Sequence, residues 1–352
     1  MSRVVFLDTV SPLPYDTRSF QQRAVQGTEA SVMRIADQLG AWVMQHNRSS
    51  AWERYLPIQP LEADHVVVLR ESRSLAQARD LFPKAQLHLW LHDKIRPGSK
   101  RGRRLRSSAD LLRRARVSLI CVSDTQRKDV SNTLRWAGLE GLPLCTRYNA
   151  LDPALQPDGS LVDEGQLVFF ASPNKGLAFA LDAFGALRRA LPDMRLVVGN
   201  PGYKADAWTA LPGVQLLGPQ PQALMHAQVR RSLCTFHPNF RIPETFGLVY
   251  AESHALGTPV LTHDFGAAAE VVADPRQLLP VRRAYRCYEA AVGALAPRWR
   301  QMPARLAARA GLFDAYVDRI REWRGGARPR VAPDPRFALD RVVSQWRELL
   351  GA

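Results

Sequence analysis

Short apolar runs bounded by turn residues recur along the whole chain, and segments of helical period separate them. V-V-F-L, A-W-V-M, H-V-V-V-L, L-H-L-W-L, V-S-L-I-C-V and L-P-L-C-T read as strands of the first half, with helices over residues 29–39, 72–82 and on to Leu134. L-V-F-F, M-R-L-V-V, V-Q-L-L, S-L-C-T-F and T-P-V-L-T repeat the pattern in the second half, with helices over 177–190 and 222–230. Such alternation requires a parallel sheet covered by helices in each half, an α/β architecture. At 352 residues the chain exceeds what one core usually supports, so two domains are expected. Residues 149–165, rich in Asp and Pro and carrying Gly159, form the natural linker. The predicted division is 1–155, 156–332 and a closing segment, 333–352, that contains a last helix. Ligands of such sheets bind beyond the C-terminal strand ends.

The opening apolar stretch ends at Asp8 and is too short for a signal peptide core, and no run approaches eighteen apolar residues. A cytoplasmic protein is expected. Cys121, Cys145, Cys234 and Cys287 lie far apart without a C-x-x-C pair, which predicts buried thiols and neither disulfides nor zinc. Charge is the unusual bulk property: 48 Lys and Arg against 33 Asp and Glu, a formal +15. Ten cations and one acid fall between Lys94 and Arg116. No aromatic residue interleaves them to stack on bases, so nucleic acid is not expected as a partner. An anionic membrane surface, an acidic acceptor or plain solvent would each suit the run.

The stretch P-E-T-F-G-L-V-Y-A-E-S-H-A-L-G-T-P-V places Glu244 at the entrance of a helix predicted over 246–256, and Glu252 within it. Helical geometry across that interval would separate the carboxylates by roughly 12 Å. Glycoside hydrolysis needs its pair about 5 to 9.5 Å apart, so an extended ligand fits better. The N–H groups of Phe246, Gly247 and Leu248 would then face an anion between the two acids.

Residues 243–270 resemble the donor-binding segment of family 4 glycosyltransferases, retaining enzymes of the GT-B fold. Further segments follow in the family's order. G-T-E at 27–29 is similar to its glycine-rich turn and L-H-D at 91–93 to its histidine motif. C-V-S-D-T-Q-R-K-D at 121–129 is similar to a late strand-to-helix step, and N-K-G-L at 174–177 to its lysine-glycine step. The resemblance implies two facing Rossmann-like domains with a cleft between them and a C-terminal helix crossing back to the first.

It also implies roles. Glu244 would hold the sugar of a UDP- or GDP-linked donor and Glu252 its ribose, with Lys175 on the diphosphate. The family's arginine before that lysine is absent, so Ser172, Asn174 or Arg241 would substitute. His92 would hydrogen-bond the sugar or share transition-state charge, Gly27 would turn the chain toward the ligand, and Glu270 would support the phosphates. Ser123 and Asp124 read as helix caps. No metal site and no cofactor beyond the nucleotide-sugar substrate is expected. The acceptor would be an envelope glycan or glycolipid, reached by peripheral attachment through residues 94–116 at the inner membrane face. A nucleotide-sugar epimerase of the same build, or a non-enzymatic anion-binding protein with a vestigial donor site, remains as an alternative.

Overall fold

The structure is a computed structural model that describes residues 2–23, 25–199, 211–295, 299 and 301–351. The chain forms two compact units. The first comprises Met1–Phe20, Val25–Pro153 and Pro335–Ala352; the second comprises Gln21–Ala24 and Ala154–Asp334.

In the first unit, seven strands form one sheet: β1 (Val4–Asp8), β2 (Trp42–Gln45), β3 (Tyr55–Pro57), β4 (His65–Leu69), β5 (Gln86–Leu91), β6 (Ser118–Cys121) and β7 (Leu144–Thr146). All pairs are parallel and the order is β3-β2-β1-β4-β5-β6-β7. β1 is buried along its whole length, as a central parallel strand covered on both faces must be. The helix Leu339–Leu350 buries Val342, Val343, Trp346 and Leu350, one helical stripe, and ends on Gly351 in the left-handed conformation. Its Trp346 ring lies 4.7 Å from Trp90 and 5.7 Å from Phe6, which ties the chain's last helix to β5 and β1.

In the second unit, β8 (Asp163–Phe169), β9 (Arg195–Gly199), β10 (Val214–Gly218), β11 (Ser232–His237), β12 (Val260–His263) and β13 (Leu278–Leu279) pair in the order β10-β9-β8-β11-β12-β13. The chain lays three strands outward from β8, returns, and lays three more outward from β11. The strand order therefore reverses between β8 and β11, and in the first unit between β1 and β4. A crevice opens at such a switch point, because the loops leaving the two central strands diverge to opposite sides.

Several elements differ from their sequence reading. β3 and β13, of three and two residues, are too short to show a period. The segment 149–165 is not wholly a linker, since β8 begins at Asp163. The first long helix starts at Gly27, two residues before the expected Glu29. Gln26 is its N-cap, and its backbone N–H donates to the Glu29 carboxylate at 3.3 Å. Cys121 and Cys234 are buried, Cys145 is half-buried and Cys287 is exposed, a departure from the expected four buried thiols; all four are free. Among the described residues no helix is long and apolar enough to cross a membrane.

Candidate active site

In the second unit the switch point gathers the predicted residues from three loops. The loop after β8 turns through a short 3-10 segment, Pro173–Lys175, in which Lys175 N–H donates to Ser172 O at 2.8 Å. The Ser172 hydroxyl donates to Asn174 Oδ1, so these two polar side chains serve the turn. Gly176 then adopts φ 103°, and a Cβ there would stand 3.2 Å from Pro238 O. Only glycine lets the lysine loop lie this close to the loop that follows β11.

That second loop carries Glu244, 6% exposed. Its Oε2 accepts from Lys175 Nζ at 2.5 Å, while its Oε1 is buried without a hydrogen-bond partner. A carboxylate oxygen of this kind is an acceptor waiting for a donor, because leaving it dry and unpaired is costly. The Glu244 backbone is fixed from a third loop. It forms an isolated parallel bridge to Gly266, and Ala267 N–H donates to Glu244 O at 3.0 Å. A Cβ on Gly266 would come within 2.7 Å of Glu244 O. The glycine of F-G-A-A-A is thus explained by backbone approach to the glutamate.

Gly247, at φ 93°, precedes the helix Leu248–Ala255. That helix is shorter than the expected 246–256, since the left-handed glycine ends the loop and Phe246 lies outside, 1% exposed. The estimate of about 12 Å between the two glutamates, which assumed a continuous helix, does not apply to a loop of this shape. Among the described residues, the N–H groups of Gly247, Leu248 and Val249 have no acceptor. They supply the positive helix entrance expected for an anion. Glu252 stands one turn further along, 7% exposed.

His237, Asn239, Tyr250 and Thr262 complete the site, and sequence reasoning passed over all four. His237 closes β11, with Nδ1 3.1 Å from Tyr250 Oη, and that hydroxyl lies 3.3 Å from Thr262 Oγ1. Burial pushes the His237 pKa down to about 4; Glu244 opposes the shift and Lys175 adds to it. The imidazole is therefore neutral at pH 7 and braces the tyrosine. Burial, with Glu244 nearby, likewise pushes the Tyr250 hydroxyl up. The available signal was H-P-N at the end of an apolar strand, where loops leave for a switch point.

Arg241, by contrast, lies apart from the pair. It is largely exposed and its guanidinium meets Glu289 at 3.4 Å; it does not accompany Lys175. The short loop after Asn239 directs it outward, because Asn239 Oδ1 accepts from the N–H groups of Arg241 and Ile242. Glu270 is half-buried on the short helix Ala268–Val272. From the sequence, recognition of the donor base would depend on loop backbone around 199–203 and 218–224; beyond Gly199 the first of these lies outside the described residues. The matching segment 218–224 runs from the end of β10 into the helix Gln222–Arg231.

In the first unit, His92 follows β5 with its ring 4.4 Å from Trp90. Burial, assisted by Arg70, pushes its pKa down to about 3. It can exchange a hydrogen bond but brings no charge at neutral pH. Asp93 beside it binds Arg70 through both oxygens, at 2.8 and 3.2 Å, and Arg101 at 2.8 Å. Gly27 sits inside its helix, with its carbonyl accepting from Ser31 Oγ. Ser123 caps the helix Asp124–Trp136 as expected, by accepting from Gln126 N–H at 2.9 Å. The basic run folds into the helices Lys100–Ser107 and Ala109–Arg114. Lys94, Arg101 and Arg104 pair with Asp129, Asp93 and Glu71, while Lys100, Arg103 and Arg106 are exposed.

Residues 167–279, which hold β8, the lysine turn, β11, both glutamates and the Gly266 loop, match the family described as glycosyl transferases group 1. The match lies wholly within the second unit. A phosphatidyl-myo-inositol mannosyltransferase of Mycolicibacterium smegmatis is 29% identical over 193 residues, 51% of this chain and 48% of that protein. The chain thus spans about half the length of the curated relatives it matches. Among solved structures, HepE of Anabaena in complex with UDP covers 99% of both chains at 17% identity and a TM-score of 0.62. WaaG, a glycosyltransferase involved in lipopolysaccharide biosynthesis, covers 99% of both at 14% identity and a TM-score of 0.57. With two parallel-sheet units and full-length likeness to such proteins, the fold is GT-B.

Proposed function

We propose that the protein is a retaining glycosyltransferase that moves a hexose from a UDP- or GDP-linked donor to a lipid-linked or envelope glycan acceptor without a metal. The observation that carries this reading is the pairing of half-buried Lys175 with buried Glu244 beside the glycine-led helix entrance, within the stretch that matches group 1 glycosyltransferases. Breaking the sugar–phosphate bond leaves a nucleoside diphosphate, so the chemistry needs positive groups where that charge grows. Lys175 Nζ and the N–H groups of Gly247 and Leu248 are of the right kind. Glu244 Oε1 would accept a sugar hydroxyl, which satisfies its unmet lone pairs. Glu252 would accept the ribose hydroxyls. The leaving phosphate oxygen would take the acceptor's proton as the new bond forms on the face it leaves, and configuration would be kept.

The UDP bound to HepE supports a UDP-linked donor, and the mycobacterial mannosyltransferase's name supports a lipid acceptor. Peripheral attachment through the exposed cations of the helix Lys100–Ser107 would bring such an acceptor within reach. The test is a transfer assay with UDP- and GDP-hexoses and inositol or polyprenyl lipids, run with a chelator and followed by NMR of the product. The expected product keeps the donor's anomeric configuration at undiminished rate. An inverted product, or turnover abolished by the chelator, would contradict the reading.

A further inference from the structure

The helix Gln301–Arg309 has its large apolar residues on the wrong side for a soluble protein. Towards the second unit's core it presents small residues: Ala307 and Ala308 pack there, followed by Leu312. Outward it presents Met302 and Leu306, which are 71% and 58% exposed. Four residues apart on a helix, these two side chains form one patch. Trp299 just before the helix is 62% exposed and Leu295 is 37% exposed. Ordinary amphipathic packing places such residues inward, so this arrangement calls for a second apolar phase.

The charges identify that phase. Arg305 and Arg309, both exposed, share the outward face with Met302 and Leu306, and among the described residues neither has a carboxylate partner. Between residues 281 and 312 the sequence holds seven arginines and a single acid, Glu289. A second copy of the chain is a poor occupant, because a two-fold contact would press the same arginines together. Met and Leu interleaved with arginine on one helical face, with an exposed Trp just before the helix, match the interface of an anionic bilayer. There the apolar side chains enter the acyl boundary while the guanidinium groups stay at the headgroups. We propose that this face of the second unit docks on an anionic lipid surface by shallow insertion of Trp299, Met302 and Leu306. It is separate from the basic run at 94–116 and does not depend on the transfer reaction proposed above.

The full chain would be sedimented with vesicles of phosphatidylcholine alone and with about one third phosphatidylglycerol. Met302→Ser with Leu306→Ser should lower binding to the anionic vesicles by about tenfold or more, given the apolar area withdrawn. Both positions are exposed, so the melting temperature should not move. Arg305→Glu with Arg309→Glu should lower binding similarly and flatten its dependence on salt. In a Cys287→Ser background, an environment-sensitive dye on Met302→Cys should shift to the blue with anionic vesicles and be quenched by lipid-borne nitroxide. Unchanged binding by the double serine variant, or a dye that stays in water on bound protein, overturns the proposal. A blue shift that grows with protein concentration in the absence of lipid, and is abolished by the serines, also overturns it by assigning the face to self-association.

Discussion

At the scale of residues, the account turns on one lysine and one glutamate. A buried carboxylate with one oxygen on a lysine and the other without a partner is charge-balanced but not satisfied, which suits a site awaiting a hydroxyl. Glu244→Gln keeps the shape and removes the charge. Lys175 then loses its ion pair with Glu244, so nucleoside diphosphate affinity should stay level or tighten while turnover falls by about 10²–10³. Calorimetry beside initial rates separates these effects, and diphosphate affinity that fell with turnover would contradict the assignment. Both residues could be read in the sequence, because E-x(7)-E and N-K-G sit in distinctive surroundings. Their direct contact could not, since 69 residues separate them and only the β8–β11 adjacency brings their loops together. The outward course of Arg241 was hidden for a similar reason: the Asn239 side chain, not the spacing to Glu244, sets that loop.

At the scale of elements, glycines and buried histidines fix the loops. Gly247→Ala would place a Cβ 2.4 Å from the Tyr250 ring at a φ of 93°. A loss of about 2–3 kcal/mol is expected from strain and displacement of the ring, measurable by urea unfolding, with weaker donor binding because Tyr250 braces His237. Stability should also depend on pH through histidines the fold keeps neutral. His88 and His237 are held down to about 4 and His263 to about 3, in each case chiefly by burial. The unfolded chain takes up these protons near pH 6.5 and the folded chain does not. Stability is therefore full above that pH and falls as the pH drops from about 6.5 toward 4, by several kcal/mol in total. A melting temperature that stayed flat across that window would contradict the burial of these rings. Element type was legible wherever a strand or helix was long, as in β4, β5 and the helix Leu177–Ala190. Ends set by a capping glycine or glutamine were not, because the cap acts through backbone conformation that periodicity does not record.

At the scale of the whole molecule, two parallel sheets follow from the alternation of patterns, whereas the GT-B class was legible only through the resemblance carried by residues 243–270 and the segments that precede them in order. The strand order itself is not in any local pattern; it emerges from which apolar strands cover one another. The inverted helix at 301–309 also escaped notice, since a hydrophobic periodicity says that one face is apolar and not which way it points. The most direct test of the central claim is a thermal-shift comparison of UDP and GDP on the native chain and on Lys175→Ala. At a concentration about one hundred times the dissociation constant, binding should add about 2.7 kcal/mol to apparent stability. The account predicts a clear shift with one of the two diphosphates and its loss in Lys175→Ala. No shift with either, or an equal shift in the variant, would contradict it.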